Sequence, residues 1–255
     1  MSEEAAMDRV GEAVAIGDRR AGTHAAALAT RYRGLEGTDL LRPLIESEFK
    51  GRIAVVSSFG AEAAVLLSLV AEIDASVPVI FLETGRHFGE TLGYRDALAD
   101  HLGLEDVRST APDPYDIARI DPDGMLFRES PAACCHLRKV IPLRRALSGF
   151  EAWITGRKRF QGDTREDLPT IEPADGRVKI NPLAHWSKAR IDEVFAARGL
   201  PRHPLEAEGY PSIGCMSCTA RVAPGADPRS GRWAESGRTE CGIHLGLPRG
   251  VSMGC

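Results

Sequence analysis

The sequence predicts an α/β fold in which helices cover both faces of a parallel sheet. Three observations predict it: short apolar runs rich in β-branched residues recur along the chain, turns containing Gly or Ser end them, and helical stretches separate them. Strands buried on both faces have this continuous apolar pattern, and helical crossovers make them parallel. The length of 255 residues, with 43% hydrophobic and 27% charged residues, suits an ordinary soluble enzyme.

The pattern begins with two predicted helices, over 21–33 and 38–49. The run over 53–59 is rich in β-branched residues and is the first predicted strand, which Gly60 ends. The apolar stretch over 61–73 has the length of a helix rather than of a strand. A strand–turn–helix unit is therefore expected here.

The second strand is predicted over 77–82, where an apolar run ends at Glu83-Thr84-Gly85. A helical pattern over 89–102 follows, and Val107 closes a predicted third strand. The later elements are a helix over 135–148, a strand over 152–155 and a helix over 187–199. After about Leu200 the pattern gives way to Gly, Pro and Cys, so we expect a tail that is either mobile or held by a ligand.

Several classes of protein are disfavoured. The N-terminus is acidic and lacks the apolar stretch of a secretory signal, and no apolar run is long enough to span a membrane. The net charge of −4 disfavours a nucleic-acid partner. We therefore expect a cytoplasmic protein, in which cysteines stay reduced and serve as metal ligands or reactive thiols.

The turn Ser57-Ser58-Phe59-Gly60 is a candidate anion site. It lies between a strand and a helix, where free backbone N–H groups and the helix dipole favour a phosphate or sulfate. It lacks the Gly-Lys-Ser/Thr ending of a Walker A loop, and an ordinary serine-capped turn is the alternative. Glu83-Thr84-Gly85 ends the next strand, so the two turns are expected to line one crevice.

Four cysteines form two pairs, the adjacent Cys134 and Cys135 and the CxxC motif of Cys215 and Cys218. Four thiolates match an iron–sulfur or zinc site, and adjacent cysteines at a helix start favour a [4Fe–4S] cluster over zinc. The alternative is two buried cysteines with a chance CxxC. Lys139 lies one helical turn after Cys135, where a cation can offset thiolate charge.

Cys241 lies apart from these pairs in a polar, Gly-rich segment, and is a candidate nucleophile. Arg229 and Arg232 precede it and His244 follows it, and such cations lower a thiol pKa and bind anions. The alternative is an exposed tail cysteine without a role, which is the interpretation we prefer for Cys255.

Together these motifs resemble the assimilatory sulfonucleotide reductases, in particular the bacterial adenosine 5′-phosphosulfate (APS) reductases that carry a [4Fe–4S] cluster. The similarity spans Ser57 to His244, about three quarters of the chain. The matching motifs are SSFGAE (57–62), ETGR (83–86), CCHLRKV (134–140), GRKRFQ (156–161), NPL (181–183), HPL (203–205), GYPSIGCMSCT (209–219), RSGRW (229–233) and TECGIH (239–244).

The resemblance implies an adenine nucleotide α-hydrolase-like (PP-loop) fold with a flexible C-terminal tail. It implies a helical region at 1–50, a nucleotide-binding α/β domain with the cluster at 51–220, and a mobile tail with the catalytic cysteine at 221–255. It implies that Cys134, Cys135, Cys215 and Cys218 hold the cluster. The residues that it assigns to substrate binding are Ser57, Ser58, Phe59, Gly60, Glu83, Thr84, Gly85, Arg138, Lys139, Arg157, Arg229, Arg232 and His244.

The chemistry that the resemblance implies is an oxidoreductase reaction on a sulfur group, in sulfate assimilation and cysteine biosynthesis. The Cys241 thiolate attacks the sulfate sulfur of APS, expels AMP and becomes S-sulfocysteine. Reduced thioredoxin, or a glutaredoxin-like reductant, then releases sulfite. The cluster does not cycle electrons and organises the site electrostatically through Lys139. A homo-oligomer is left open.

Three alternatives remain. A 3′-phospho-APS (PAPS) reductase shares the chemistry of Cys241 but typically lacks the four paired cysteines, and dual specificity is a variant of it. An ATP-dependent adenylating enzyme of the same fold would carry a Ser-Gly-Gly-x-Asp-Ser loop, which is absent here. An iron–sulfur sensor would need no Cys241.

Overall fold

The computed structural model describes residues 3–162, 165–234, 240 and 242–244, and of residues 3–14 and 16 it describes the backbone alone. The helices are α1 Glu3–Arg31, α2 Gly37–Pro43, α3 Ala63–Ile73, α4 Gly89–Leu102, α5 Pro114–Ile120, α6 Leu126–Glu129, α7 Pro131–Cys135, α8 Ile141–Ala146 and α9 Lys188–Ala197. The strands are β1 Ile53–Val56, β2 Val79–Leu82, β3 Val107–Thr110, β4 Ala152–Ile154, β5 Ile171–Ala174 and β6 Arg177–Ile180. Short π-helical and 3₁₀ turns lie at Leu44–Glu48, His136–Val140, Arg159–Gln161, Pro204–Glu206 and Met216–Cys218.

The strands form one sheet in the order β3-β2-β1-β4-β6-β5. All neighbours are parallel except β5, which runs antiparallel to β6 at the edge. Val55 in the centre of the sheet pairs with Val79 on one side and with Ile154 on the other. The strand order reverses at this place, and such a reversal opens a crevice at the carboxyl ends of the strands.

Helices cover both faces of the sheet. Successive side chains of a strand point to opposite faces, so Ile53 and Val55 join a larger core with α2, α3, α4 and α9. Ala54 and Val56 join a smaller core on the other face, which includes Leu143 of α8. This doubly covered, mainly parallel sheet confirms the predicted fold class.

The N-terminal helices belong to the same body as the sheet. α1 packs against β5 and β6, and so covers the part of the sheet that ends in the antiparallel edge strand. Leu40, Leu41 and Phe49 are fully buried in the larger core. The domain boundaries at 50 and 220 stay predictions.

Several elements differ from the sequence-based expectation. α1 begins at Glu3 rather than at 21, α5 and α6 were not predicted, and the helix predicted over 135–148 is divided among α7, a π-helical turn and α8. The third strand begins at Val107 and continues to Thr110 instead of ending at Val107. The hairpin of β5 and β6 was not expected, because polar residues interrupt both strands. Its turn is Asp175-Gly176, with φ of 49° and 73°, a pair that favours a two-residue hairpin.

No helix within the described residues has the length and apolar content that spanning a membrane requires.

Candidate active site

A cavity of about 390 Å³ opens at the crevice between β1 and β4. The loop after β1 contributes Ser57, Ser58 and Gly60, and the loop after β4 contributes Arg157. The predicted residues Lys139, Arg229, Arg232 and His244 also line it. The predicted crevice therefore exists, but its second wall comes from the loop after β4 more than from the turn after β2.

Phe59 anchors the loop Ser57–Gly60, here called the serine loop, in the protein core. Its side chain is fully buried and packs edge-on against Phe81 of β2, with ring centroids 5.8 Å apart. Its φ of 48° is strained for a residue with a side chain, and this burial stabilises the strained loop. The backbone N–H of Phe59 donates to Ser57 Oγ at 3.1 Å. Phe59 therefore acts on the loop's shape, and its own contact with substrate stays a prediction.

The cavity lining has an excess of cations among the described residues. The cations are Lys139, Arg157, Lys158, Arg165, Lys188, Arg229 and Arg232, and the carboxylates are Glu62, Glu206, Asp227 and Glu240. Burial and the nearby charge of Arg165 lower the pKa of Arg229 to about 10, so this guanidinium is still charged at neutral pH. A cavity of this charge suits a nucleotide that carries several anionic groups.

The neighbours of Cys241 are held in this cavity. Arg165 forms a bidentate pair with Glu240, whose Oε2 lies 2.8 Å from Arg165 Nη2. Arg229 Nη2 lies 3.7 Å from the same oxygen. Burial raises the pKa of Glu240, but these arginines outweigh it, so that the net shift is downward. The carboxylate therefore stays charged and fixes the residue directly before Cys241.

His244 follows Cys241 by three residues, lines the same cavity and is half-buried. Its ring is nearly parallel to that of Trp153, at an angle of 4° and a centroid distance of 6.3 Å. Burial, together with the surrounding cations Lys179 and Arg157, lowers the pKa of His244 well below its ordinary value. The imidazole is therefore neutral at physiological pH. The tail, predicted to be mobile or held by a ligand, packs against the protein at His244, while Cys241 and Cys255 lie outside the described residues.

The paired cysteines come together beside the cavity. Cys135 and Cys218 pack in one cluster with Trp233, and the charge of Cys134 would interact with those of Cys215 and Cys218. Cys134, Cys215 and Cys218 are free thiols. Among the described residues, no group of three or more His, Cys, Asp or Glu side chains is arranged to hold a metal ion.

Lys139 connects these thiols with the cavity, because it lines the cavity and its charge acts on Cys215. Burial raises the pKa of the Cys215 thiol, but Lys139 and the Thr84 hydroxyl outweigh burial and give a net downward shift. Thr84 Oγ1 lies 3.5 Å from Cys215 Sγ. The turn after β2 therefore supports the cysteines.

Glu83, Thr84, Gly85 and Arg138 do not line the cavity, and their contact with substrate stays a prediction. The guanidinium of Arg138 is instead engaged inside the protein. Its Nη1 donates to the Thr84 carbonyl at 2.9 Å, and its Nη2 lies 2.6 Å from the fully buried Asp121 carboxylate. This arrangement ties the turn after β2 to the helix that carries Cys134 and Cys135.

Sequence reasoning missed Lys158 and Arg165, which line the cavity beside Arg157. Lys158 belongs to the motif GRKRFQ directly beside Arg157, so the same motif could have identified it. Arg165 lies beyond a loop and carries no local pattern, so only the pairing with Glu240 reveals it.

The profile of the phosphoadenosine phosphosulfate reductase domain matches residues 52–221, more than half of the chain. The chain belongs to this family. As a member of the phosphoadenosine phosphosulfate reductase family, it is 48% identical over 239 residues to a protein of Mesorhizobium japonicum named adenosine 5′-phosphosulfate reductase, covering 94% of this chain and 92% of that one. A protein of the same name from Chelativorans is 50% identical over 196 residues, which cover 77% of this chain and 80% of that one.

Within the family, the crystal structure of PAPS reductase from Candida auris in a phosphate complex has a similar fold. The TM-score is 0.65 at 25% identity, and the similarity covers 78% of this chain and 97% of that one. The resemblance to the bacterial APS reductases is therefore confirmed by named relatives, and the fold by a solved structure of the family.

Proposed function

We propose that this chain reduces APS to sulfite and AMP, with Cys241 as the nucleophile and thioredoxin as the reductant, in the cytoplasm. One observation carries the proposal: the residues on both sides of Cys241, namely Glu240 and Gly242–His244, are placed at the cation-rich cavity or beside it. APS is an adenine nucleotide with a phosphate and a sulfate, so its anionic end matches this cation-rich wall. The names of the similar proteins support the same substrate.

The first step is a displacement at sulfur. The Cys241 thiolate forms an S–S bond to the sulfate sulfur while the sulfur–oxygen bond to AMP breaks, and AMP leaves with that electron pair. Arg229, Arg232 and Lys139 are proposed to bind the anionic groups and offset the charge that develops on the leaving phosphate. The serine loop, through Ser57 and Ser58, is proposed to orient the phosphate.

The second step regenerates the thiol. A thiolate of reduced thioredoxin attacks the Cys241 sulfur and displaces sulfite, which leaves with the electron pair of the S–S bond. The second thioredoxin thiol then attacks the mixed disulfide, so that thioredoxin leaves oxidised and Cys241 is a thiol again. The dithiol therefore supplies both electrons.

We further propose that Cys134, Cys135, Cys215 and Cys218 hold a [4Fe–4S] cluster. The chemistry of the donor set fits it: four cysteine side chains lie near one another, three of them buried, with Lys139 beside them. When bound, the cluster supplies a fixed charge next to Lys139. The role of the protein is then to hold the Lys139 ammonium between the cysteines and the substrate anion.

The test is a sulfite assay with anaerobically purified full-length protein, APS and reduced thioredoxin. We expect sulfite and AMP in equal amounts, no product from Cys241→Ser, and activity close to wild type from the matched variant Cys255→Ser. Absence of sulfite with both APS and PAPS would refute the proposed function. Product from Cys241→Ser would refute the mechanism alone.

A second candidate function is PAPS reduction, alone or beside APS reduction. The similarity to the PAPS reductase of Candida auris favours it, although at 25% identity rather than 48%. The ratio of kcat/KM for the two nucleotides decides between them, and we expect APS to be preferred.

A further inference from the structure

The carboxylate of Glu206 lines the cavity, and its two oxygens are in different situations. Oε1 accepts a hydrogen bond from Arg202 Nη1 at 3.0 Å. Oε2 is buried and has no hydrogen-bond partner in the described part of the chain. A buried acceptor without a partner is unfavourable, and such an atom at a cavity is one that a bound ligand can satisfy.

Glu206 is held on the side of the cavity where α3 begins. The neighbouring Leu205 is buried against Ala61 and Ile213, which fixes the 3₁₀ turn that ends at Glu206. Burial raises the pKa of Glu206 and the charge of Glu62 adds to this shift, whereas the charges of Arg202 and Lys188 oppose it. Glu206 therefore lies in a region of the cavity that contains both carboxylates and cations.

The tail lies in a different environment. The charges that act on His244 are those of Lys179, Arg157, Arg165 and Arg229. The cavity is thus cationic where the neighbours of Cys241 are held and mixed in charge around Glu206. Because Cys241 must reach the sulfate sulfur in the proposed reaction, the sulfate belongs at the cationic end, and the nucleoside belongs toward Glu206.

We propose that Glu206 is a specificity-determining residue for the nucleoside: Oε2 accepts a hydrogen bond from a ribose hydroxyl, and the carboxylate repels a nucleotide with a 3′-phosphate. This inference rests on the proposed function. Two nearby cations do not cancel the effect, because Asp192 offsets part of their charge: Arg202 is shared between Glu206 Oε1 and Asp192, and Lys188 pairs with Asp192. Lys188 Nζ lies 2.6 Å and Arg202 Nη2 lies 2.8 Å from Asp192 Oδ1.

The predicted discrimination has two parts. The hydrogen bond favours a nucleotide with free ribose hydroxyls, since a site built around such a hydroxyl is left with an unpaired group when the hydroxyl is missing. The repulsion acts against the 3′-phosphate itself, which is discrimination by an unfavourable contact. Glu206→Gln keeps an acceptor and removes the charge, whereas Glu206→Ala removes both.

The experiment compares binding of AMP and of adenosine 3′,5′-bisphosphate to the anaerobically purified full-length protein by calorimetry. We expect Glu206→Gln to improve the affinity for the bisphosphate relative to AMP by about tenfold, which is about 1.4 kcal/mol. Glu206→Ala is expected also to weaken AMP severalfold. The matched control is Glu208→Gln, because Glu208 pairs with Arg221 at 3.3 Å and does not line the cavity, and it should leave both affinities unchanged.

The kcat/KM values for APS and PAPS should change in the same ratio as the affinities. An unchanged ratio of affinities in Glu206→Gln would overturn the inference, and so would an equal change in Glu208→Gln. Wild-type protein that binds AMP better than the bisphosphate but yields no sulfite would refute the proposed function while the binding comparison still tests Glu206. Thermal melting of each variant shows that it is folded.

Discussion

Lys158 Nζ lies 2.9 Å from Glu62 Oε2, so a buried ion pair joins the loop after β4 to the start of α3 across the central crevice. Lys158 also donates to the Gly156 carbonyl at 2.8 Å, and Gln161 donates to Glu62 at 2.8 Å. Burial lowers the pKa of Lys158, and the Glu62 carboxylate opposes this shift. The pair therefore holds together the two loops that form the walls of the cavity.

Replacing Lys158 by Met should be strongly destabilising, because it leaves the Glu62 carboxylate buried without its cation. We expect a loss of about 3–5 kcal/mol in the free energy of unfolding, measured by urea denaturation. The double variant Lys158→Met with Glu62→Gln should recover part of this loss. Lys50 is exposed, so Lys50→Met serves as the control. If Lys158→Met destabilises the protein as little as Lys50→Met does, this role of the ion pair is contradicted.

Arg138 is expected to act on stability rather than on substrate affinity. Arg138→Met leaves the fully buried Asp121 with the more distant Arg86 at 3.5 Å, so we expect a loss of about 3 kcal/mol. The KM for APS should stay within about twofold of wild type, because Arg138 does not line the cavity. Loss of a charged contact with substrate would raise KM by much more. The opposite result, a large rise in KM at unchanged stability, would favour the role as a substrate counter-charge that the sequence suggested.

Local patterns in the sequence predicted the parts of the site that lie near strand ends. Ser57 and Ser58 lie where a strand–turn–helix unit places an anion site, and Arg157 follows β4 directly. Cys134, Cys135, Cys215 and Cys218 lie near one another, and their role as cluster ligands stays a prediction. The chain topology alone brings strand ends and paired motifs together, which is why the sequence could indicate these positions, while the binding roles of these residues stay predictions.

Contacts between segments that are distant along the chain could not be predicted from the sequence. Arg165 and Glu240 pair across 75 residues, and nothing around either position indicates the other. The pairing of Arg138 with the buried Asp121 likewise has no signal in the sequence, and the contact of Arg138 with substrate stays a prediction. The Glu206 oxygen is recognisable only from the packing of its turn on the start of α3.

His203 should make the protein sensitive to acid. It is buried, Leu205 N donates to its Nδ1 at 3.2 Å, and its Nε2 lies 3.0 Å from Thr91 Oγ1. Burial lowers the pKa of His203 to about 4. Between about pH 6.5 and pH 4 the unfolded chain binds this proton and the folded chain does not, so stability falls as the pH falls.

The measurement is the free energy of unfolding at several pH values in this range. Each unit of pKa shift corresponds to about 1.4 kcal/mol, so wild type should lose about 3 kcal/mol more than His203→Asn between pH 6.5 and pH 4. The exposed His101→Asn should follow the wild-type curve. Parallel curves for wild type and His203→Asn would show that His203 is not responsible.

Iron content tests the assignment of the four cysteines. Anaerobically purified protein should be brown and contain about four irons per chain, and Cys134→Ser or Cys218→Ser should lose most of the iron. Cys255→Ser is the matched control and should keep it. Colourless wild-type protein with one zinc per chain would contradict the cluster.

Transfer of sulfur to Cys241 tests the central claim most directly. The protein is mixed without reductant with APS that is radiolabelled in its sulfate sulfur, and then digested with trypsin. We predict label on the peptide over 239–249, whose one cysteine is Cys241, and release of this label as sulfite when reduced thioredoxin is added. Wild-type protein that stays unlabelled, or Cys241→Ser protein that becomes labelled, would contradict the account.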